Sequence, residues 1–288
     1  MQHVTDIVAK AVTAVFCALL VMVLATGPGL AQDTKPLKGV ALVIGQSNYA
    51  TLPKIPNSAQ DARAIADVLG KLGLTTDTAT DSKSQDFRRT IDSFIEKAQG
   101  ADVALIYYSG HAIEAGGINY LLPTDTDLNA LEAADQTLVS LQDVRDRLRQ
   151  KAKTTILLLD ASRPNPFPKY AVVQRAKGST GDPIATMGLG PPNGAAATTS
   201  EVIGFAAEPR QVAVEGPAGG SSPYAAALIK HLPATPAYEF SQVMAMVAEE
   251  VSLATQGRQR PWTSASVKQV LNFGGQVDET SDSGQLAS

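Results

Sequence analysis

Cysteine is almost absent from this chain, which has a single one, Cys17, among its 288 residues. Cys17 lies inside an apolar stretch near the N-terminus, at 11–25. A chain that has lost this stretch therefore contains no thiol. Such a chain cannot form an internal disulfide, a thiolate metal site or a cysteine nucleophile.

Histidine is nearly as scarce. The chain has three, and His3 lies in the same N-terminal segment, which leaves His111 and His231. Two histidines are too few for a histidine-rich metal centre, and the acidic pair Asp125 and Asp127 does not supply enough oxygen ligands to define a calcium site. We therefore predict that the protein needs no metal ion and no other cofactor.

Charge of either sign is modest, with 18% charged residues and a formal net charge of −4. Without a basic excess, the chain lacks the composition of a protein that binds a phosphate backbone, so we predict no nucleic-acid partner. Hydrophobic residues make up 44% of the chain, which is enough to build the core of one or two globular domains.

The N-terminal segment has the pattern of an export signal. Lys10 precedes the apolar stretch 11–25, and small residues, Gly29 and Ala31, occupy the two positions that a signal peptidase reads. We predict a signal peptide over 1–31 that is cleaved after Ala31, and hence a periplasmic or secreted protein. The alternative is an uncleaved membrane anchor, although about 15 apolar residues are short for a membrane-spanning helix.

Strand and helix patterns alternate along the rest of the chain, which predicts an α/β fold with a mostly parallel central sheet flanked by helices on both faces. The predicted strands are Gly39–Gly45, Leu74–Ala79, Val103–Tyr108, Thr154–Leu159, Glu201–Ala207 and Ser266–Phe273, with Ile118–Pro123 as half of a small hairpin. The predicted helices are Ala59–Leu72, Ser84–Ala98, Leu141–Leu148, Ser222–Leu232 and Tyr238–Ala254.

Two segments without strong periodicity complete the organisation. Residues 168–200 are rich in glycine, proline, alanine, serine and threonine, and we predict a flexible connection there. The polar tail 276–288 is predicted to be disordered.

Two polar segments follow directly after apolar strands. Ser109-Gly110-His111 follows one strand, and Asp160-Ala161-Ser162 follows another. In open α/β sheets, ligands bind at the carboxyl ends of the strands, so these two segments mark the candidate site.

Together these two segments resemble the paired active-site segments of bacterial caspase and metacaspase homologues. Further stretches resemble landmarks of the same family and cover most of the chain after the signal. They are Asn57–Ala62, Asn119–Asp125, Gly204–Pro209, Ser222–Leu228 and Arg260–Trp262. The resemblance implies a caspase-like fold over 32–275, with a larger part at 38–167 and a smaller part at 201–275.

In that family a histidine activates a cysteine nucleophile. Here His111 fills the histidine position, but Ser162 fills the cysteine position. The resemblance implies an oxyanion hole made by the backbone N–H groups of Ala112 and Ser162, although the family usually has glycine where this chain has Ala112. A serine hydroxyl is much harder to ionise than a thiol, so we expect an inactive pseudopeptidase that binds peptides. The alternative is a weak hydrolase with Ser162 as nucleophile and His111 as base.

Asp61 and Asp160 occupy positions that form an acidic pocket for arginine or lysine in metacaspases. The resemblance therefore implies a peptide or protein partner with a basic residue. From the residues alone, Asp61 could equally cap or salt-bridge its helix, and Asp160 could simply end a strand.

Overall fold

The computed structural model describes residues 37–193, 199–217, 219–268 and 271–273. The predicted signal peptide, the predicted tail and residues 194–198 of the predicted connection lie outside the described residues. Among the described ranges, no helix is both long and apolar enough to cross a bilayer.

Eleven strands and six α-helices are assigned in the described residues. The strands are β1 Gly39–Gly45, β2 Thr75–Thr80, β3 Ala101–Ser109, β4 Ala112–Ala115, β5 Ile118–Leu121, β6 Val139–Ser140, β7 Ala152–Asp160, β8 Val172–Gln174, β9 Gly181–Pro183, β10 Ser200–Phe205 and β11 Trp262–Ser266. The helices are α1 Ser58–Lys71, α2 Ser84–Lys97, α3 Ala134–Thr137, α4 Leu141–Arg149, α5 Pro223–His231 and α6 Phe240–Ala254, with 3-10 turns at Asn129–Ala133 and Leu232–Ala234.

Six strands form the central sheet in the order β11-β10-β7-β3-β1-β2. All neighbours pair in parallel except β10 and β11, which are antiparallel. The central strands β1, β3 and β7 are almost wholly buried, as expected of strands covered on both faces. The predicted α/β class with a mostly parallel sheet is confirmed.

Helices cover both faces of this sheet, because successive side chains of a strand point in opposite directions. Ala41 and Val43 of β1 belong to the buried cluster that also contains residues of α1, α5 and α6. Val40, Leu42 and Ile44 belong to the other cluster, with residues of α2 and α4. Two apolar layers thus hold one rigid sheet, whose carboxyl edge carries the candidate site.

Gly45, the last residue of β1, brings α1 close to that edge. A Cβ atom built on Gly45 would lie 2.3 Å from the carbonyl oxygen of Ser58, a distance that real side chains do not tolerate. The missing side chain lets the first turn of α1 pack against the strand end. Asp61 belongs to this first turn, so Gly45 helps to place it.

Outside the central sheet, β4, β5 and β6 form a small antiparallel sheet, which includes the predicted hairpin strand at Ile118. The predicted connection 168–200 contains a short hairpin of β8 and β9. No strand was predicted here, because three-residue strands are too short to show the two-residue alternation of side chains that marks a strand.

The last predicted strand was wrong in position. The strand is Trp262–Ser266, whereas the prediction placed it over Ser266–Phe273. Leu271 and Phe273 produced the apolar signal, but both are buried against the helical layer, where the Phe273 ring lies 5.5 Å from that of Phe240. A short apolar run fits a strand or a buried coil equally well when no period is available.

Candidate active site

The predicted site residues come together at the carboxyl edge of the sheet. His111 lies between the end of β3 and the start of β4, while Asp160 ends β7 and Ser162 follows it two residues later. The Gly110 N–H donates a hydrogen bond to the carbonyl of Asp160 at 3.4 Å, which joins the two segments. Parallel neighbours in a sheet produce this convergence directly.

The imidazole of His111 is held by a proline carbonyl and by a tyrosine. Its Nε2 lies 2.8 Å from the carbonyl oxygen of Pro53, and its backbone N–H donates to the Tyr49 hydroxyl at 2.8 Å. The Tyr49 ring packs edge-on against the imidazole, with centroids 4.7 Å apart. Because a carbonyl only accepts hydrogen bonds, this contact places the proton on Nε2 and leaves Nδ1 unprotonated in the neutral ring.

Burial lowers the pKa of His111 from 6.5 to about 4, the Pro53 carbonyl opposes the shift, and the charge of Arg163 lowers it further. The ring is therefore neutral near pH 7 and has little affinity for a proton. A carboxylate behind the imidazole would stabilise the charged form, but its place is taken by an uncharged carbonyl.

Ser162 is buried, with about 1% of its surface exposed. Neither its hydroxyl nor the Nδ1 atom of His111 has a hydrogen-bond partner in the described part of the chain, so the two do not bond to each other. The carbonyl of Ser162, in contrast, accepts a hydrogen bond from the Ala213 N–H at 2.7 Å. The hydroxyl and the ring are thus both at the site, but no proton-transfer contact connects them.

Ala112, at the predicted oxyanion position, is the first residue of β4. It is not one of the residues with positive φ, so its methyl group causes no backbone strain. The Leu122 N–H donates to the His111 carbonyl at 3.1 Å, which makes His111 and Leu122 a hydrogen-bonded position of the β4–β5 pair. The N–H of the next residue, Ala112, therefore faces away from β5.

The two predicted pocket residues are linked by one serine. Asp61 and Asp160 are both buried. The Ser222 N–H donates to Asp61 Oδ2 at 3.1 Å, and the Ser222 hydroxyl donates to Asp160 Oδ2. The same hydroxyl accepts from the Ala225 N–H and caps α5. Both carboxylates thus belong to one cluster at the start of α5.

Four buried polar atoms of this cluster have no hydrogen-bond partner among the described residues. They are Asp61 Oδ1, Asp160 Oδ1 and the hydroxyl oxygens of Tyr107 and Tyr224. Burial raises the pKa of Asp61 to about 6, and burial likewise raises the pKa of Asp160. Unsatisfied buried acceptors are costly, so the cluster is incomplete without a ligand or a shared proton.

Arg163 follows Ser162 and lies buried beside the cluster. Its guanidinium forms an ion pair with Glu215, and in the described chain it forms none with Asp61 or Asp160. Its charge nevertheless lowers the pKa of both aspartates against the larger effect of burial. The acidic pair is therefore only partly compensated.

Several site residues were not singled out from the sequence. Pro53 acts through its backbone carbonyl, and Tyr49 acts through a hydroxyl far from His111 in the chain, so neither has a local signal. Ser222 had a local sequence signal, because Ser222-Pro223 is a helix-start pattern. That pattern does not show which carboxylates the serine also contacts.

Comparisons with known proteins bear on the family and the fold. A protein-family model described as the Caspase domain matches residues 38–271. Mucosa-associated lymphoid tissue lymphoma translocation protein 1 of Homo sapiens is 29% identical over 86 residues, which are 30% of this chain and 10% of that protein. Its Mus musculus homologue is 28% identical over 100 residues, or 35% of this chain and 11% of that protein. The matched segment thus spans only about a tenth of each curated relative.

Solved structures resemble the fold over most of the chain. Caspase-1 from Spodoptera frugiperda has a TM-score of 0.59 and 16% identity, covering 87% of this chain and 97% of that one. The Drosophila initiator caspase Dronc has a TM-score of 0.56 and 12% identity, covering 86% and 90%. At these identities the likeness establishes the fold alone.

Proposed function

This chain belongs to the caspase-domain family, and we propose that it is a catalytically inactive member that binds peptide or protein segments in the caspase cleft. The observation that carries the proposal is the pair of buried, unpartnered atoms, the Ser162 hydroxyl oxygen and His111 Nδ1. A serine nucleophile needs a base in hydrogen-bond contact and an orienting group behind that base. Here the contact is missing.

The chemistry of the two residues supports loss of catalysis. A thiol ionises near pH 8.5, within reach of a histidine, whereas a serine hydroxyl is far less acidic. His111, with a pKa of about 4, is a weaker base than an ordinary histidine. Burial and the positive charge of Arg163 disfavour an imidazolium ion at this place, and the hydrogen bond to the Pro53 carbonyl, which favours it, does not outweigh them.

We propose further that the bound segment carries lysine or arginine. Asp61 and Asp160 each present one buried carboxylate oxygen without a partner, and the hydroxyls of Tyr107 and Tyr224 are unpartnered as well. An ammonium group offers three donors and a guanidinium five, with a charge opposite to that of the carboxylates. A basic side chain therefore supplies what the cluster lacks.

Export to the periplasm or the exterior is part of the same proposal. It is supported by the signal-like segment 1–31 and by the absence of cysteine from every position after Cys17. A thiol-free chain suits an oxidising compartment, because no unpaired cysteine is exposed to oxidation. If the segment is not removed, the protein is held at the membrane by it.

A weak hydrolase remains the second candidate function, and one observation favours it. The contact between His111 Nε2 and Pro53 leaves Nδ1 in the form that can accept a proton. A side-chain movement that brings the Ser162 hydroxyl to this nitrogen would form the first half of a nucleophilic site.

Turnover separates the two candidates. The full chain and its Ser162→Ala variant are incubated with arginyl and lysyl fluorogenic peptides and esters. We expect no release above the protein-free rate from either, because Ser162 has no base in contact. Turnover by the wild-type chain that Ser162→Ala abolishes would contradict the pseudopeptidase proposal and establish the hydrolase.

A further inference from the structure

We propose that a cavity between α2 and α4, called the α2–α4 cavity below, binds a free apolar α-amino acid. The cavity has a volume of about 370 Å³ and is lined by residues of both helices, by residues of α3 and β6, and by Arg175. Small-molecule sites in proteins have volumes of about 300–1,000 Å³, so the space suffices for a small ligand.

The α2–α4 cavity is separate from the candidate active site. Residues of α2 and α4 belong to the buried apolar layer on one face of the central sheet. Residues of α1 and α5 belong to the layer on the other face, and Asp61 and Ser222 lie at the starts of those two helices. The inference therefore goes beyond the proposed peptide-binding function and does not depend on it.

One end of the cavity has an excess of positive charge. Arg88 of α2 donates from Nη2 to the carbonyl of Asp135 at 2.8 Å and to the carbonyls of Ala134 and Leu138, but in the described chain it forms no ion pair. The Nε atom of Arg175 lies 4.0 Å from the Asp135 carboxylate. Two guanidinium groups thus share a single carboxylate at this end.

Arg88 is the cation that gains most from an added carboxylate. Its Nε atom is buried and has no hydrogen-bond partner among the described residues. Burial lowers the pKa of Arg88, and the charges of Asp92, Asp135 and Asp143 oppose this shift. A carboxylate placed against the guanidinium would stabilise its charged form further.

The other end of the cavity has an excess of negative charge. Arg147 of α4 forms ion pairs with Asp92 of α2 at 2.7 Å and with Asp143 at 3.3 Å, so two carboxylates share one guanidinium. Asp92 follows Arg88 by one helical turn, which separates the two ends by about 6 Å along α2. The cavity is therefore neutral as a whole but carries opposite charges at its two ends.

Apolar side chains complete the lining. Ile91 of α2, Val139 of β6 and Val144 of α4 line the cavity, and all three belong to the same buried apolar layer. An apolar group that contacts them leaves water, which stabilises the complex by about 25 cal/mol for each Å² of apolar surface removed from water.

A free apolar amino acid supplies each group that this lining lacks. Its carboxylate accepts hydrogen bonds from Arg88, the three donors of its ammonium group suit Asp92 and Asp143, and its side chain covers the apolar lining. A simple anion would leave the negative end without a partner, and a simple cation would leave the positive end without one. A ligand with both charges and no net charge matches both ends.

The first test removes one group of the ligand at a time. The full chain is titrated calorimetrically with leucine, with phenylalanine and with three analogues of leucine. N-acetyl-leucine lacks the ammonium group, leucinamide lacks the carboxylate, and glycine lacks the apolar side chain. We expect leucine to bind about tenfold or more tightly than each analogue, because each analogue loses a charge-assisted contact or buried apolar area.

Two results of these titrations would overturn the proposal. One is an equal affinity for leucine and either N-acetyl-leucine or leucinamide, because the ligand's two charges would then have no partners. The other is absence of binding by both leucine and phenylalanine at millimolar concentration.

The second test locates the binding site. Arg88→Met should weaken the binding of leucine by about tenfold or more. Arg89→Met is the matched control, because Arg89 is the next residue of the same helix, is exposed, pairs with Asp86 and does not line the cavity. It should leave the affinity unchanged, and an equal effect of the two substitutions would show that leucine binds elsewhere and overturn the proposal.

Circular dichroism shows whether the Arg88→Met variant is folded, since Arg88 also holds three carbonyl groups. Should it not fold, Asp92→Asn takes its place with the same expected loss, and Asp86→Asn is then the control on the exposed side of the helix. An unchanged affinity for leucine in folded Asp92→Asn would overturn the proposal.

Discussion

Three groups around one ring set the chemistry at the residue scale. The Pro53 carbonyl fixes the tautomer of His111, Tyr49 fixes its position, and burial keeps it neutral. The imidazole of His111 is therefore held in one orientation, while the hydroxyl of Ser162 forms no hydrogen bond with it. Reactivity depends on this contact as much as on the identity of the nucleophile.

Asp61 makes the free energy of unfolding depend on pH. Its folded-state pKa of about 6 lies above the ordinary 3.8, so the folded state binds more protons between these values and the free energy of unfolding falls as the pH rises through this window. We expect Asp61→Asn to remove this fall, which amounts to about 3 kcal/mol at most. Urea denaturation at pH 4, 5, 6 and 7 measures it.

The His111→Asn variant is the control, because it should change the slope of stability against pH in the opposite direction. The pKa of His111 is lowered from 6.5 to about 4, so its contribution to stability rises with pH in the same window. The two variants should therefore change the slope in opposite directions. The same direction in both would show that the two pKa shifts are not those of the site described here.

At the scale of elements, α4 is tied to β10 by a buried ionic cluster. Glu201 accepts hydrogen bonds from the guanidinium groups of Arg145 and Arg149, two from each. Burial raises the pKa of Glu201, but these hydrogen bonds outweigh it and lower the pKa below its usual value. Arg145 also donates to the Asn193 carbonyl, so the cluster fixes the chain on both sides of residues 194–198.

Breaking this cluster is expected to be costly. Glu201→Gln leaves the buried guanidinium of Arg145 without a counter-ion in the described part of the chain, while Arg149 keeps its ion pair with Asp146, and we expect the free energy of unfolding to fall by about 3–5 kcal/mol. Asp67→Asn, which removes only the exposed pair with Lys71, should leave the melting temperature unchanged. Thermal unfolding of both variants makes the comparison, and an equal effect would contradict the assignment of a buried cluster.

The elements also show what a sequence can and cannot predict. The continuous apolar runs of β1, β3 and β7 predicted buried strands, and the structure places these strands within two residues of the predicted bounds at each end. The strand at Trp262–Ser266 was misplaced, because Leu271 and Phe273 gave the stronger apolar signal from the core.

The features of the site also divide into those that can be predicted from the sequence and those that cannot. His111, Ser162, Asp61 and Asp160 come together at one sheet edge as the strand order implies, since residues at parallel strand ends converge. The bridge from Ser222 to both aspartates could not be predicted, because it joins α5 to residues more than 60 positions away.

On the scale of the whole molecule, a caspase fold holds a buried acidic cluster and the unconnected pair of Ser162 and His111 at one edge of its central sheet. Two buried apolar layers keep the sheet rigid, so these features share one fixed frame. The account therefore predicts recognition without cutting, with the basic side chain of the bound segment satisfying Asp61 and Asp160.

Equilibrium binding of a charge-matched peptide pair tests this claim most directly. The full chain is titrated calorimetrically with Ala-Leu-Gly-Arg amide and with the same peptide ending in norleucine, and the peptides are then recovered for mass spectrometry. We predict that the arginyl peptide binds about tenfold or more tightly, that Asp160→Asn reduces this preference, and that both peptides are recovered intact. Equal affinities for the two peptides, or recovery of a cleaved arginyl peptide, would contradict the account.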